Sequence, residues 1–254
     1  MDELALFDMH CHLGFCEDAA KAARELAAAG VGAFSNTVTP AEFAEQRAVL
    51  TGVGNVCVGV GLHPWWVGES DTACESLLAT VERERLVGEV GLDFSPVHVA
   101  TREAQVDVLA QVARACAQVG GKVVSLHAVR AVDDVLDVLD RAGALAADAG
   151  NACIVHWFSG ASDQLTRARR LGCFFSVNPR MLQSKRGRAY AQAIPADRLL
   201  LETDLPSQAG APWSAAHVRH LLEQTVRDLA QLRREDATEL QERIATTSRT
   251  LLSE

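Results

Sequence analysis

The sequence predicts an α/β protein, a (β/α)8 TIM barrel in one domain over residues 1–254. Three observations predict it: eight short apolar runs, helical segments rich in Ala, Leu, Glu and Arg between them, and a repeat of roughly 25–35 residues. No Gly-x-Gly-x-x-Gly follows the first run. With eight strands, the closed barrel is therefore preferred to an open doubly wound sheet.

The first strand is expected at about 4–10. Residues 19–29, rich in Ala, Leu, Lys and Glu and closed by Gly30, read as a helix with a glycine cap. A second strand, 31–36, is followed by Thr39-Pro40 and Glu42, which open a helix to about residue 50, proline being tolerated in a first turn. The third strand, 56–63, is stopped by Pro64, and a helix at roughly 71–84 leads to the fourth, 86–92. A helix at 100–118 precedes the fifth strand, 122–127, and one near 130–148 precedes the sixth, 152–156. Strands at 173–177 and 198–202 complete the set, with helices at 160–171 and 181–193. Residues 213–232 and 235–252 are helical.

Hydrophobic residues make up 48% and charged residues 22% of the 254, the balance of a soluble globular protein. No apolar run is long enough to span a membrane, so no membrane partner is expected. Met1-Asp2-Glu3 is acidic and the apolar run after it is short, so no signal peptide is expected and the location is read as cytoplasmic. The seven cysteines are scattered without a CxxC, which argues against disulfides and a cysteine zinc site. A net charge of −9 argues against binding nucleic acid by a broad basic surface. If the substrate is a phosphate ester, bound cations must supply the local positive charge.

The chemistry gathers at strand ends, where active sites of such barrels lie. In Asp8-Met9-His10-Cys11-His12, strand alternation points Asp8, His10 and His12 to one face, with the two imidazoles about 7 Å apart. That suits one metal, with Asp8 orienting a ring. The alternative is a buried strand that ends in polar residues. Further strand ends offer His63, Glu89, His127, His156 and Asp204, with Asp93 just after Glu89, while His98, His217 and His220 fall in solvated or helical positions. Five imidazoles and two carboxylates at one rim are costly to bury alone. Two divalent cations satisfy them, zinc or manganese suiting the donors and Glu89 able to bridge the pair.

Asp8-x-His10-x-His12, Gly61-Leu62-His63-Pro64, Gly88-Glu89-Val90-Gly91-Leu92-Asp93, His127, His156-Trp157-Phe158-Ser159-Gly160 and Pro195-x-Asp197-Arg198-Leu199-Leu200-Leu201-Glu202-Thr203-Asp204 resemble, in order and spacing, the TatD-type metal-dependent hydrolases of the amidohydrolase superfamily. The resemblance implies a metal-dependent deoxyribonuclease of the 3′-to-5′ exonuclease type, with DNA, preferably single-stranded ends, as substrate. It implies two divalent ions (Zn, Mg or Mn), one held by His10, His12, Glu89 and Asp204, the other by Glu89, His127 and His156. Asp204, taking a proton from the attacking water, and the bridging Glu89 would be the catalytic carboxylates. His63 would lie near the phosphate or support the ligands. Val129 stands where the family usually has Arg, with Arg130 beside it, and Pro212-Trp213-Ser214-Ala215 and Ser248 also depart from the pattern. The His156 block together with residues 172–182 resembles the divergent TatD-like members of Qat-type antiphage defence clusters, which would imply other proteins of such a cluster as partners.

Arg130, with Lys122, Lys185, Arg186 and Arg188, is a candidate phosphate contact; the 185–188 cluster reads equally as a solvated helix start. Trp65 and Trp66, directly after Pro64, either stack an unpaired base or cap the barrel mouth as packing. Two rival readings stand beside the nuclease. One is an amidohydrolase acting on a small amide or ester, though those barrels often bridge their metals with a modified Lys where this chain has Glu89. The other is a non-catalytic subunit of a defence assembly. The nuclease itself is expected to be a monomer.

Overall fold

The computed structural model describes residues 4–68 and 72–253. Met1-Asp2-Glu3, on which the expected absence of a signal peptide rests, and residue 71, the expected start of the third helix, lie outside the described residues. The described chain runs β1 (Leu6–Cys11), α1 (Ala19–Ala28), β2 (Val31–Asn36), α2 (Pro40–Val49), β3 (Val56–Gly59), α3 (Ala73–Val81), β4 (Leu86–Asp93), α4 (Arg102–Val119) and β5 (Val123–Val129). It continues through α5 (Val132–Arg141), β6 (Ala152–His156), α6 (Ser162–Arg170), β7 (Phe174–Val177), α7 (Pro179–Leu182), α8 (Lys185–Ala193), β8 (Leu199–Leu201), α9 (Ala215–Arg233) and α10 (Ala237–Leu252). All eight expected strands are present, and the alternation is that of the (β/α)8 class.

Three boundaries differ from expectation. The third strand ends at Gly59; Val60 keeps one bridge to Val87, and at Gly61 an added Cβ would stand 2.0 Å from Thr37 O. The helix expected to reach residue 148 stops at Arg141, before Gly143 at φ +79°. The helix expected at 181–193 is two helices, because each start has its own cap: Asn178 accepts from the Met181 amide and Ser184 from the Gly187 amide.

The chain divides into two compact units. The first comprises residues 4–35, 45–58 and 174–253. In it β1, β2 and β3 are consecutive neighbours, β1 and β2 parallel with Leu6 opposite Val31, and β7 pairs in parallel with β8. The His12 amide donates to Leu205 O (3.0 Å) and the Asp204 amide to His10 O (2.9 Å), so the chain leaving the last strand is bonded to the end of the first. Phe7, Met9, Leu26, Phe34 and Phe175 form its buried centre. Gly32 leaves the space that the Phe7 ring fills, since a Cβ there would come within 2.5 Å of it.

The second unit comprises residues 36–44, 59–68 and 72–173. Its strands β4, β5 and β6 are parallel neighbours. Gly91 lies opposite His127, and a Cβ on Gly91 would stand 2.0 Å from His127 O, so only glycine allows the two backbones this close. α5 buries Val132, Val135, Leu136 and Leu139 and turns Asp133, Asp134 and Asp137 outward, the pattern of an amphipathic helix. Lys122, expected among phosphate contacts, is not one. It precedes β5, at the end opposite His127, and is buried with Nζ donating to the carbonyls of Val81 (2.7 Å), Glu82 (3.4 Å) and Glu84 (2.9 Å).

Candidate active site

In the first unit, β1 and the chain after β8 bring His10, His12 and Asp204 together. Asp204 Oδ1 lies 3.2 Å from His12 Nε2 and 3.8 Å from His10 Nε2, and the two imidazoles meet edge to face with centroids 5.0 Å apart. Asp204 sits at φ +59°, a left-handed conformation that Asp tolerates better than most residues. Strained backbone of this kind concentrates at functional sites.

Asp8 does not orient a ring as expected. It accepts hydrogen bonds from the Thr203 amide (2.9 Å), the Thr203 hydroxyl (2.5 Å) and the His10 amide (3.4 Å), tying β1 to the chain after β8. Burial raises its pKa to about 7, against those bonds. Beside it Glu202, fully buried, accepts from the Ser176 hydroxyl and from Asn178 Nδ2 (2.8 Å). A buried carboxylate needs such donors.

In the second unit, Glu89 gathers three histidines. Its Oε1 lies 2.7 Å from His127 Nδ1, 3.0 Å from His156 Nε2 and 3.2 Å from His63 Nε2. All four side chains are buried. Glu89, Gly91 and Asp93 share one face of β4 by alternation, and because Gly91 pairs with His127 the imidazole stands between the two carboxylates. Asp93 Oδ2 lies 3.2 Å from His127 Nε2. Burial alone would raise the Asp93 pKa, but bonds from His127, Ser95 and Trp65 hold it well below the usual carboxylate range. Burial alone would lower that of His127, but Asp93 and Glu89 raise it.

The hydrogen-bond network assigns the tautomers. His63 Nδ1 accepts the Trp65 backbone amide (3.1 Å), which leaves the proton of a neutral ring on Nε2, where Glu89 Oε1 and His127 Nδ1 each lie 3.2 Å away. By distance His63, Glu89 and His127 form a group that would hold an ion, their ligand atoms lying within 4.8 Å of one another. The tautomer makes His63 Nε2 a donor to Glu89 or His127 instead. With Nε2 of His127 donating to Asp93, its Nδ1 lone pair points at Glu89 Oε1 across 2.7 Å. Two acceptors at that distance repel unless a proton or a cation lies between them. Imidazole nitrogens and a carboxylate are donors that a divalent cation fits, with Asp93 as the outer partner that orients the ring.

The remaining expected residues divide. Arg130 is exposed at φ +55° directly after β5. Arg188 donates to Leu182 O (3.0 Å) and Arg186 lies over the Tyr190 ring, contacts of a helix start. Trp65 is neither buried packing nor free: its Nε1–H donates to Asp93 Oδ2 (2.7 Å). Sequence reasoning missed that bond and the stacking of His98 on Trp65, with centroids 4.8 Å apart. Asp93 itself was named beside Glu89 at the end of the fourth strand; the His98 contact, made across a loop, leaves no such signal.

The chain is similar to known proteins over nearly its whole length. The model of the family described as TatD related DNase matches residues 7–253. The chain is 30% identical over 262 residues to the 3'-5' ssDNA/RNA exonuclease TatD of Pantoea vagans (strain C9-1), covering 97% of this chain and 98% of that protein. It is 26% identical to the human Deoxyribonuclease TATDN3, covering 80% of this chain and 79% of that protein. The crystal structure of YJJV, a TatD homologue from Escherichia coli K12, matches with a TM-score of 0.82 at 26% identity over 98% of both chains. Since the match takes in both histidine–carboxylate clusters and every strand that carries them, the chain is a member of the TatD-related DNase family.

Proposed function

We propose that the protein is a divalent-metal-dependent phosphodiester hydrolase, a deoxyribonuclease that removes nucleotides from the 3′ ends of single strands, and that residues 1–254 act as one domain. The observation that carries this is the Glu89 carboxylate with three imidazole nitrogens at 2.7–3.2 Å, in a chain of this family. The activity and the choice of end are carried over from the relative named 3'-5' ssDNA/RNA exonuclease.

In this reading His10, His12, Glu89 and Asp204 would hold one ion and Glu89, His127 and His156 the other, the ions being Zn, Mg or Mn. Such ions supply Lewis acidity and a lowered pKa for bound water. Asp204 accepts the proton released as water attacks phosphorus. His63, a donor by its tautomer, holds the charge of Glu89, and Arg130 meets the backbone phosphate. No described helix is long and apolar enough to cross a membrane, and a cytoplasmic monomer is part of the reading. The acidic balance of −9 suits an enzyme that admits a strand end to a small cationic centre.

The test is cleavage of end-labelled single-stranded DNA before and after EDTA, then with Mg²⁺, Mn²⁺ or Zn²⁺ restored. Cleavage should stop on chelation and return with at least one ion. Activity indifferent to chelation would overturn the metal-dependent reading.

A further inference from the structure

Trp65 is 47% exposed although it stands beside the Glu89 cluster. Its indole is nevertheless held on several sides. Nε1–H is bonded to Asp93, the ring lies parallel to His98 (13° between planes), Trp66 lies near it with centroids 6.1 Å apart, and the His63 ring meets it edge to face at 4.8 Å. Val97 and Val99, on either side of His98 in the chain, are 80% and 43% exposed. A fixed indole is thus kept half in water, against the hydrophobic preference for burying it.

The bond to Asp93 matters for what that surface can do. Asp93 Oδ2 takes both the Trp65 indole N–H and His127 Nε2, so one oxygen atom joins the exposed ring to a candidate metal ligand. We infer that Trp65, backed by His98, is the stacking subsite for an unpaired nucleobase next to the phosphodiester that is cut, and that Asp93 is the positioning residue fixing that base relative to His127. The inference rests on the nuclease reading above. Every base has a π-face, so the subsite reads no sequence. A base inside a duplex has both faces occupied by its neighbours, so the subsite selects unpaired ends.

The test pairs two substrates with two variants: a single strand with an intact 3′-terminal nucleotide, the same strand with an abasic 3′ terminus, and Trp65→Ala and Trp65→Phe. Each variant is first checked for native circular dichroism. In the wild type the abasic end should raise KM by roughly tenfold, the scale of one stacked base. Trp65→Ala should raise KM equally for the intact end and erase the difference between the two. Trp65→Phe, which keeps a π-face but lacks the N–H, should retain the difference and lower kcat. A second readout needs no turnover: quenching of tryptophan fluorescence in EDTA should be stronger for the intact strand, and Trp65→Phe should remove that base-dependent part, leaving Trp66, Trp157 and Trp213 as emitters. Wild-type cleavage with equal KM for both ends, or a Trp65→Ala loss that spares the difference, would overturn the subsite. Base-dependent quenching without cleavage under any of the three metals would instead overturn the hydrolytic reading and leave the subsite standing.

Discussion

Asp93 has the most informative single position in the second unit, because it decides which nitrogen of His127 is left to face Glu89. Partners of this outer kind typically hold 10–100-fold in metal affinity. Asp93→Asn should therefore weaken Mn²⁺ binding by roughly that factor, measured by competition with a chelating dye, with the fold unchanged. His127→Ala, which removes the ligand itself, should abolish cleavage. Equal metal affinity in Asp93→Asn and wild type would remove Asp93 from this role. At this scale the sequence was partly legible. Strand ends offered His10, His12, Glu89, His127, His156 and Asp204 as residues of one rim; within the first unit His10, His12 and Asp204 lie together, and within the second Glu89, His127 and His156. Asp8 was misread, since its partner Thr203 is 195 residues away and local alternation says nothing of it.

Elements are held by contacts that serve no chemistry, and these separate stability from activity. Lys122 supplies one ammonium to three carbonyls at the end of α3. Lys122→Met should strand those acceptors and cost about 1–3 kcal/mol in urea unfolding, while kcat per folded molecule stays unchanged. Between α5 and α6, Arg167 pairs with Asp133 (3.1 Å) and Asp137 (2.5 Å) at a half-exposed surface. The Gln164 amide, then Arg167, lower the Asp133 pKa against burial. A folded pKa below the ordinary Asp value means that this stability is present above about pH 4 and is lost as pH falls through the folded value. Arg167→Ala should cost no more than about 1 kcal/mol at pH 7, less in high salt, and the difference from wild type should shrink at pH 3. Helix ends were the least legible part: the division of α7 from α8 depends on Ser184, a polar residue within a segment whose apolar spacing continues.

For the whole molecule, the strand count and order followed from composition and periodicity, because eight buried apolar runs leave few alternatives. A cation that binds the folded chain alone stabilises it by mass action. Mn²⁺ at about a hundredfold its Kd should add about 2.7 kcal/mol, read as a rise in Tm that EDTA reverses. An unchanged Tm would speak against a built ion site. The bonds between the end of β1 and the chain after β8 also carry a consequence for biosynthesis. His12 and Asp204 stand 192 positions apart in the chain, so the first cluster does not exist while the ribosome is still making the middle of the chain.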